Sequence, residues 1–321
     1  MNSRSHDPNK KVVLFHRDFR KFTGGHLKVW HYFDHVLSST SYEPRIAFTP
    51  ESIWDATNPW SAARSYLTDW DPKSADILFL AGSDWRGLPE TKARDYAKPI
   101  INLVQHPRHA DPRDELYKFL PNRAVRICVS EQVADAVNAT GRVNGPVFVI
   151  PNGIELGSVP GPKAEDARAV DVLICGLKAP DLAREVAKTL TQSNRRVMTL
   201  IDWIPRDEYL ARLADARIAV TLPRPIEGFY LPALEAMACG ATVVCPDCVG
   251  NRDFCKDGFN CFRPRYDADA IANATIAALD KSQPEMEKML ANSAVTVSQH
   301  SLETEREAFL SILERLDELW H

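Results

Sequence analysis

The sequence predicts an α/β protein built on two parallel sheets, and three observations carry that prediction. Short apolar runs rich in β-branched residues recur along the chain, several of them separated by stretches with helical spacing. That alternation belongs to strands covered on both faces by helices. The series occurs twice, on either side of a stretch at 153–170 that is rich in Gly, Pro and charge. The length, 321 residues, is enough for two ordinary cores.

The first series follows a polar tail, residues 1–10. Val12–Phe15 reads as a buried strand, the loop RKFTGGHLK follows, and Trp30, Phe33 and Val36–Leu37 then take helical spacing. Arg45–Phe48, Asp76–Leu80, Ile100–Val104, Val125–Val129 and Val147–Ile150 are the further strands. The second series opens with the strand Asp171–Cys175 and the amphipathic helix Asp181–Leu190. Strands at Val197–Ile201 and Ile218–Leu222 flank a helix at Asp207–Ala214, and a helix at Pro232–Cys239 leads at once into the strand Ala241–Cys245. Ala268–Leu279 is a further helix. The C-terminus has apolar residues at 302, 309, 313, 316 and 320, which predicts one helix over 301–321, with Ser301 as N-cap and Glu303 and Glu305 at the positive end of its dipole. The domains expected are 1–152, a linker at 153–170, a second domain at 171–300, and a terminal helix at 301–321.

Composition narrows the function classes. With 45% hydrophobic and 26% charged residues the chain is an ordinary folded protein rather than a disordered one. A net charge of −4 gives no global footprint for nucleic acid, and none is expected as a partner. No apolar run approaches the roughly 20 residues of a membrane span, and MNSRSHDPNKK has no apolar stretch of the signal-peptide kind. Seven cysteines, an odd number in a long chain, suit a reducing compartment, so the expected location is cytoplasmic. Cys245 and Cys248 have a metal-ligand spacing, but Cys255 and Cys261 do not supply a second close pair, so no metal is expected. Residues 1–30 hold seven basic residues (Arg4, Lys10, Lys11, Arg17, Arg20, Lys21, Lys28) against Asp7 and Asp18. The expectation is a basic face able to meet anionic lipid at the inner side of a membrane, or a phosphate-bearing acceptor. Trp30, Trp54, Trp60, Trp70 and Trp85 crowd the first 85 residues, as core or as sugar platforms.

Ligands of open α/β sheets bind outside the carboxyl ends of the strands, so loops after strands carry the functional signal. The richest stretch is RPIEGFYLPALEAMACGATVVCP. Pro232 fits the first turn of a helix and Gly240 the left-handed residue after its end. The helix N-terminus directs its unpaired N–H groups and positive dipole end at the loop Glu227–Leu231, a setting for an anion such as phosphate. Glu227 lies in that loop and Glu235 about one turn into the helix, where carboxylates would suit sugar hydroxyls.

The whole string EGFYLPALEAMACG resembles the donor-site signature of retaining glycosyltransferases of family 4, which have the GT-B fold. The following ATVVCPDCVGNRDFCKDGFNCF is similar to the family's next segment, VSEQVADAVNATGRVNGPVFVIPNGIE to the end of its N-terminal domain, and DVLICG to the first strand of its C-terminal domain. The resemblance is clear over residues 125–265. It implies a GT-B architecture: two Rossmann-like α/β domains with a donor and acceptor cleft between them. It also implies that the terminal helix packs back on the N-terminal domain, which recognises the acceptor.

By that resemblance Glu227 contacts the donor sugar and Glu235 the nucleotide ribose, and the backbone of Gly228, Phe229 and Tyr230 holds the diphosphate. Gly24 and Gly25 match the family's N-terminal Gly-rich loop near the donor phosphate, and His106 matches a His that touches the donor sugar. Two departures stand out. Tyr230 occupies a position usually held by Gly, and a Tyr does not take positive φ cheaply. Leu177 and Leu182 stand where the family carries the Arg and Lys that neutralise the leaving diphosphate. Lys178 and Arg224 are the candidate replacements. The segment between Lys178 and Ile201 also has room for one helix and one strand only, which predicts a shortened nucleotide-binding domain.

The implied reaction moves a sugar from a nucleotide-diphosphate donor to a hydroxyl acceptor with retained configuration, without a cofactor or required metal. The acceptor would be a glycan or lipid-linked glycan, in surface polysaccharide or glycolipid synthesis. The alternative is a non-catalytic partner subunit that binds nucleotide sugar on the same fold.

Overall fold

The computed structural model describes residues 7–89, 96–191 and 195–321, which form two compact units. The first comprises the chain up to Pro151 together with Glu303–His321, and the second runs from Asn152 to Leu302.

The first unit is built on a six-stranded sheet of order β2-β1-β3-β4-β5-β6, parallel throughout. Its strands are β1 (Lys11–Arg17), β2 (Tyr42–Phe48), β3 (Ile77–Ala81), β4 (Ile100–Val104), β5 (Val125–Cys128) and β6 (Val147–Val149). β3, β4 and β5 are buried along their whole length, as strands covered on both faces must be. Helix α1 (Gly24–Leu37) starts where Thr23 accepts a hydrogen bond from the His26 N–H, and α2 (Glu131–Asn138) where Ser130 accepts one from Val133. Arg126, wholly buried on β5, donates to the carbonyl oxygens of Phe119, Leu120, Asn122, Ala124 and Asn144. A buried cation without an acid is tolerable there because carbonyl dipoles surround it.

The tryptophans side with the core. Trp60 and Trp85 are fully buried, Trp30 meets Trp60 edge to face, and Trp54 packs on Phe48. Of the basic residues expected to form an N-terminal face, Arg17 and Lys28 turn inward, while Lys11, Arg20 and Lys21 stay exposed. Lys28 is buried against Glu305 and Arg17 against Asp84, while Lys11 pairs with Asp317 and Arg20 with Asp18 and Glu51. Arg4 lies outside the described residues.

The single terminal helix expected over 301–321 is two, α8 (Leu302–Glu314) and α9 (Leu316–Trp320), with Arg315 at φ −96°, ψ 7° between them. Leu316 and Trp320 are both buried beyond the break. Glu305 is not an exposed dipole acid. It is buried, accepting from Lys28 Nζ at 2.5 Å and meeting His35 Nε2 at 3.1 Å, so α8 is joined to α1 by an internal ion cluster. Burial opposes the Glu305 charge, but Lys28 and His35 prevail and hold its carboxyl down at about 2.

The second unit has a four-stranded parallel sheet of order β10-β9-β7-β8. Its strands are β7 (Val170–Cys175), β8 (Val197–Leu200), β9 (Ala216–Thr221) and β10 (Thr242–Val244). Helices α3 (Pro180–Leu190), α4 (Arg206–Ala214), α5 (Leu231–Ala238) and α6 (Ala268–Leu279) agree with the periodicity within a residue or so at each end. A further helix, α7 (Gln283–Ser298), has Glu285 completing a capping box with Ser282. It was not expected, because its buried positions mix Met289 and Val297 with Ser293 and Thr296, which blurs the apolar stripe.

The stretch 153–170 is more than a tether. Arg168 donates to the carbonyl oxygens of Ala214, Ala216 and Gly240, which ties the approach to β7 to the ends of α4 and α5. Among the described residues no helix is long and apolar enough to cross a membrane.

Candidate donor site at the carboxyl edge of the second sheet

In the order β10-β9-β7-β8 the chain goes from β7 to β8 on one side and then returns to place β9 on the other. The loops after β7 and β9 therefore diverge at a switch point, where open α/β sheets leave a crevice for ligands. Lys178 follows β7 and Glu227 follows β9. Although 49 residues apart, they meet: Lys178 Nζ donates to Glu227 Oε1 at 2.9 Å. The same oxygen accepts from the Arg224 N–H at 3.2 Å. The Lys178 side chain is 39% exposed and that of Glu227 13%, so the pair is partly sheltered yet open to a ligand.

Tyr230 lies beneath the lysine. Its ring is buried, with Lys178 Nζ 5.2 Å from the ring centroid. At φ −97° the residue avoids the left-handed region and sits as the residue before α5. Its N–H donates to the Gly250 carbonyl at 2.9 Å. This corrects the expectation that the Tyr230 amide helps hold a diphosphate, because the donor is already engaged. Gly228 and Phe229 are the other backbone positions of that loop, and the Phe229 ring stacks on Phe254 at 5.0 Å.

Gly250, in the turn Val249–Asn251, backs this loop. A Cβ there would lie 2.9 Å from both the Glu227 Cβ and the Phe229 backbone nitrogen, so any larger residue would push the loop outward. The sequence offered a signal in the Gly of CVGNRDF, but its service to the loop before α5 depends on packing.

Glu235 is buried on α5 and its Oε1 accepts from Arg206 Nη1 at the start of α4. Arg206 carried no motif, since the pairing of two separate helix starts is a tertiary event. The Arg224 side chain is exposed, and it is its backbone N–H that meets Glu227. Leu177 is exposed, and Leu182 packs against the core of this unit. Helix α5 is well bounded: Pro232 lies in its first turn and Gly240 follows it at φ +71°.

The remaining candidates lie in the first unit. Gly24 and Gly25 open α1, and the Gly25 carbonyl accepts from Gln105 Nε2 at 3.3 Å, beside His106. The His106 Nδ1 accepts from the Arg108 N–H at 3.0 Å, which leaves Nε2 as the protonated nitrogen when the ring is neutral. Gln105 was not anticipated. Nor was the cluster at the end of β1, where Arg17 donates to Asp84 Oδ2 at 2.6 Å and meets His26 Nδ1 at 2.8 Å. His109 is buried, and burial pushes its ring down to about 3, so it is neutral.

All seven cysteines are unpaired and buried, and among the described residues no group of His, Cys, Asp and Glu is arranged to hold a metal ion.

The architecture has known counterparts. Sucrose-phosphate synthase from Thermosynechococcus elongatus is similar with a TM-score of 0.72 at 13% identity, over 96% of this chain and 100% of that one. HepE from Anabaena, solved with UDP-glucose, is similar at 0.70 and 14% identity, over 95% and 100%. The N-terminal domain of Candida albicans trehalose-6-phosphate phosphatase is similar at 0.68 and 11%, over 95% and 96%. At such identities the likeness shows the fold: an α/β chain with parallel sheets that matches the GT-B glycosyltransferases. No curated protein matches the chain by sequence. Residues 162–296, which contain the whole Lys178, Glu227, Tyr230 and Glu235 arrangement, match the family described as glycosyl transferases group 1.

Proposed function

We propose that the protein is a configuration-retaining glycosyltransferase that moves a sugar from a nucleotide-diphosphate donor to a hydroxyl acceptor. The observation that carries this reading is the Lys178–Glu227 pair, open at the switch point of a group 1 glycosyl transferase domain. In glycosyl transfer positive charge develops at the anomeric carbon and negative charge on the leaving phosphate. Groups preset toward both lower the barrier. Glu227 faces the sugar, where its carboxylate accepts hydroxyl hydrogen bonds and stabilises the cationic carbon. Lys178 and Arg224 face the diphosphate, with the backbone of Gly228 and Phe229 and the positive end of α5. Glu235, held by Arg206, takes the ribose hydroxyls. Gly24, Gly25 and His106 of the first unit are assigned to donor binding by the family resemblance alone. An oxygen of the leaving phosphate accepts the acceptor's proton on the face it leaves, so no protein base is needed and configuration is kept. No metal or cofactor takes part. The acceptor is the hydroxyl of a glycan or lipid-linked glycan, in surface polysaccharide or glycolipid assembly in the cytoplasm.

HepE was solved with UDP-glucose, which makes uridine diphosphate sugars the first donors to try. The test is a screen of nucleotide sugars for binding and nucleotide release, on the wild type and on Glu227→Ala and Glu235→Ala, with the product anomer read by NMR. Binding with turnover, weakened in both variants and giving a retained anomer, supports the reading. A product of inverted configuration refutes the mechanism. A second reading is favoured by one observation: leucines at 177 and 182, where the resemblance implies cations. Tight binding with no turnover on any acceptor would make the protein a nucleotide-sugar-binding partner subunit.

A further inference from the structure

Two departures from the family pattern meet in one place. Leu177, where the resemblance implies an arginine, is 52% exposed and carries no charge to a ligand. Lys178, one residue later, sits instead with its ammonium over the ring of Tyr230, which stands where the pattern has a glycine. A glycine at 230 would remove that ring face. We propose that the departures compensate each other: Tyr230 is a positioning residue whose ring face holds Lys178 as the replacement cation for the leaving diphosphate. The inference rests on the donor-site reading above and says which residue makes that site work.

Further observations agree. Lys178 is fixed from two directions, by the ring at 5.2 Å and by Glu227 Oε1 at 2.9 Å, so a long flexible side chain has one preferred place. The ring cannot swing away, because it is buried and its backbone is tied to Gly250. Burial pushes the Tyr230 hydroxyl well above its ordinary range, so it stays neutral and the contact is cation on π face, not an ion pair. The Tyr230 amide is also taken by the Gly250 carbonyl. The loop then has one backbone donor fewer for phosphate, and the lysine matters more.

The experiment measures affinity for the best-bound of UDP, GDP and ADP and for its monophosphate, on wild type, Lys178→Met, Tyr230→Leu, Tyr230→Phe and the double variant Lys178→Met/Tyr230→Leu. Tyr230→Leu is expected to lower the preference for diphosphate over monophosphate by about two- to fivefold, the range of a partly exposed cation–π contact. Tyr230→Phe keeps the ring and should match the wild type. In the Lys178→Met background the Tyr230→Leu change should have no further effect. Equal losses with and without Lys178 would overturn the proposal. Leu177→Arg in the Lys178→Met background leaves the buried ring untouched. It should restore the diphosphate preference, and failure to do so also overturns the compensation, even where Tyr230→Leu does not fold. If the wild type binds none of the three diphosphates, the donor reading itself falls. If it binds one but the two residues act additively, only the positioning role falls.

Discussion

Each sheet has a topological switch point, and each switch point carries an ion pair, but the two pairs differ in exposure. In the first unit β1 and β3 diverge, and Arg17 at the end of β1 bonds Asp84 just after β3. In the second, β7 and β9 diverge, and Lys178 bonds Glu227. The first pair is sealed, with side chains 10% and 3% exposed, and Arg17 is further engaged by His26. Burial pushes the Asp84 carboxyl up to about 6 against the pull of Arg17. The second pair is open. The same topology thus yields a buried clasp in one unit and a partly solvent-exposed pair in the other. Solvent access and the supporting loop make the difference, not the presence of opposite charges.

The contrast can be broken by removing one cation from each pair. Arg17→Met leaves a buried carboxylate without its partner and should cost about 3–5 kcal/mol of stability in urea unfolding, whereas Lys178→Met should cost about 1 kcal/mol or less. Comparable losses would mean the two pairs are equivalent. Activity should separate them the other way. Glu227→Gln and Lys178→Met are each expected to lower kcat/KM about 10²- to 10³-fold with a nucleotide-sugar donor while the melting temperature stays near that of the wild type. A variant of either kind with full turnover would remove that residue from the chemistry.

A smaller effect sharpens the role of the supporting turn. Gly250→Ala puts a methyl against Glu227 and Phe229 and should cost about 1–3 kcal/mol of stability, with a raised KM for the donor. An unchanged KM would show that the loop tolerates the shift. The acid limb of stability tests the clasp of α8 on α1. The folded-state value for Glu305 is about 2, below its unfolded value near 4.5, so its contribution is present above about pH 4.5 and lost as the pH falls toward 2. Denaturant midpoints between pH 5 and 2 should fall more gently in Glu305→Gln than in the wild type. Parallel slopes would place the acid sensitivity elsewhere.

Much of this was legible in the chain. The apolar runs located the ten strands of the described residues within a few residues, because most of them are buried along their length and so must be apolar. EGFYLPALEAMACG gave α5, its loop and both glutamates, since caps and breakers act locally. Other features were not legible. The Tyr230 amide was expected to face phosphate but serves Gly250, and the acids expected at the head of a terminal helix include a buried partner of Lys28. Arg206 as the partner of Glu235 had no signal at all.

The sequence by itself determined where the strands and most of the helices run and which loop holds the acidic groups, because periodicity, capping and turn chemistry are properties of near neighbours. Only the tertiary structure decided that β7 lies beside β9, and so that Lys178 reaches Glu227 across 49 residues and rests on Tyr230. Strand order and burial of charge are settled by how whole elements pack, and no local pattern encodes which distant side chain will complete a pair.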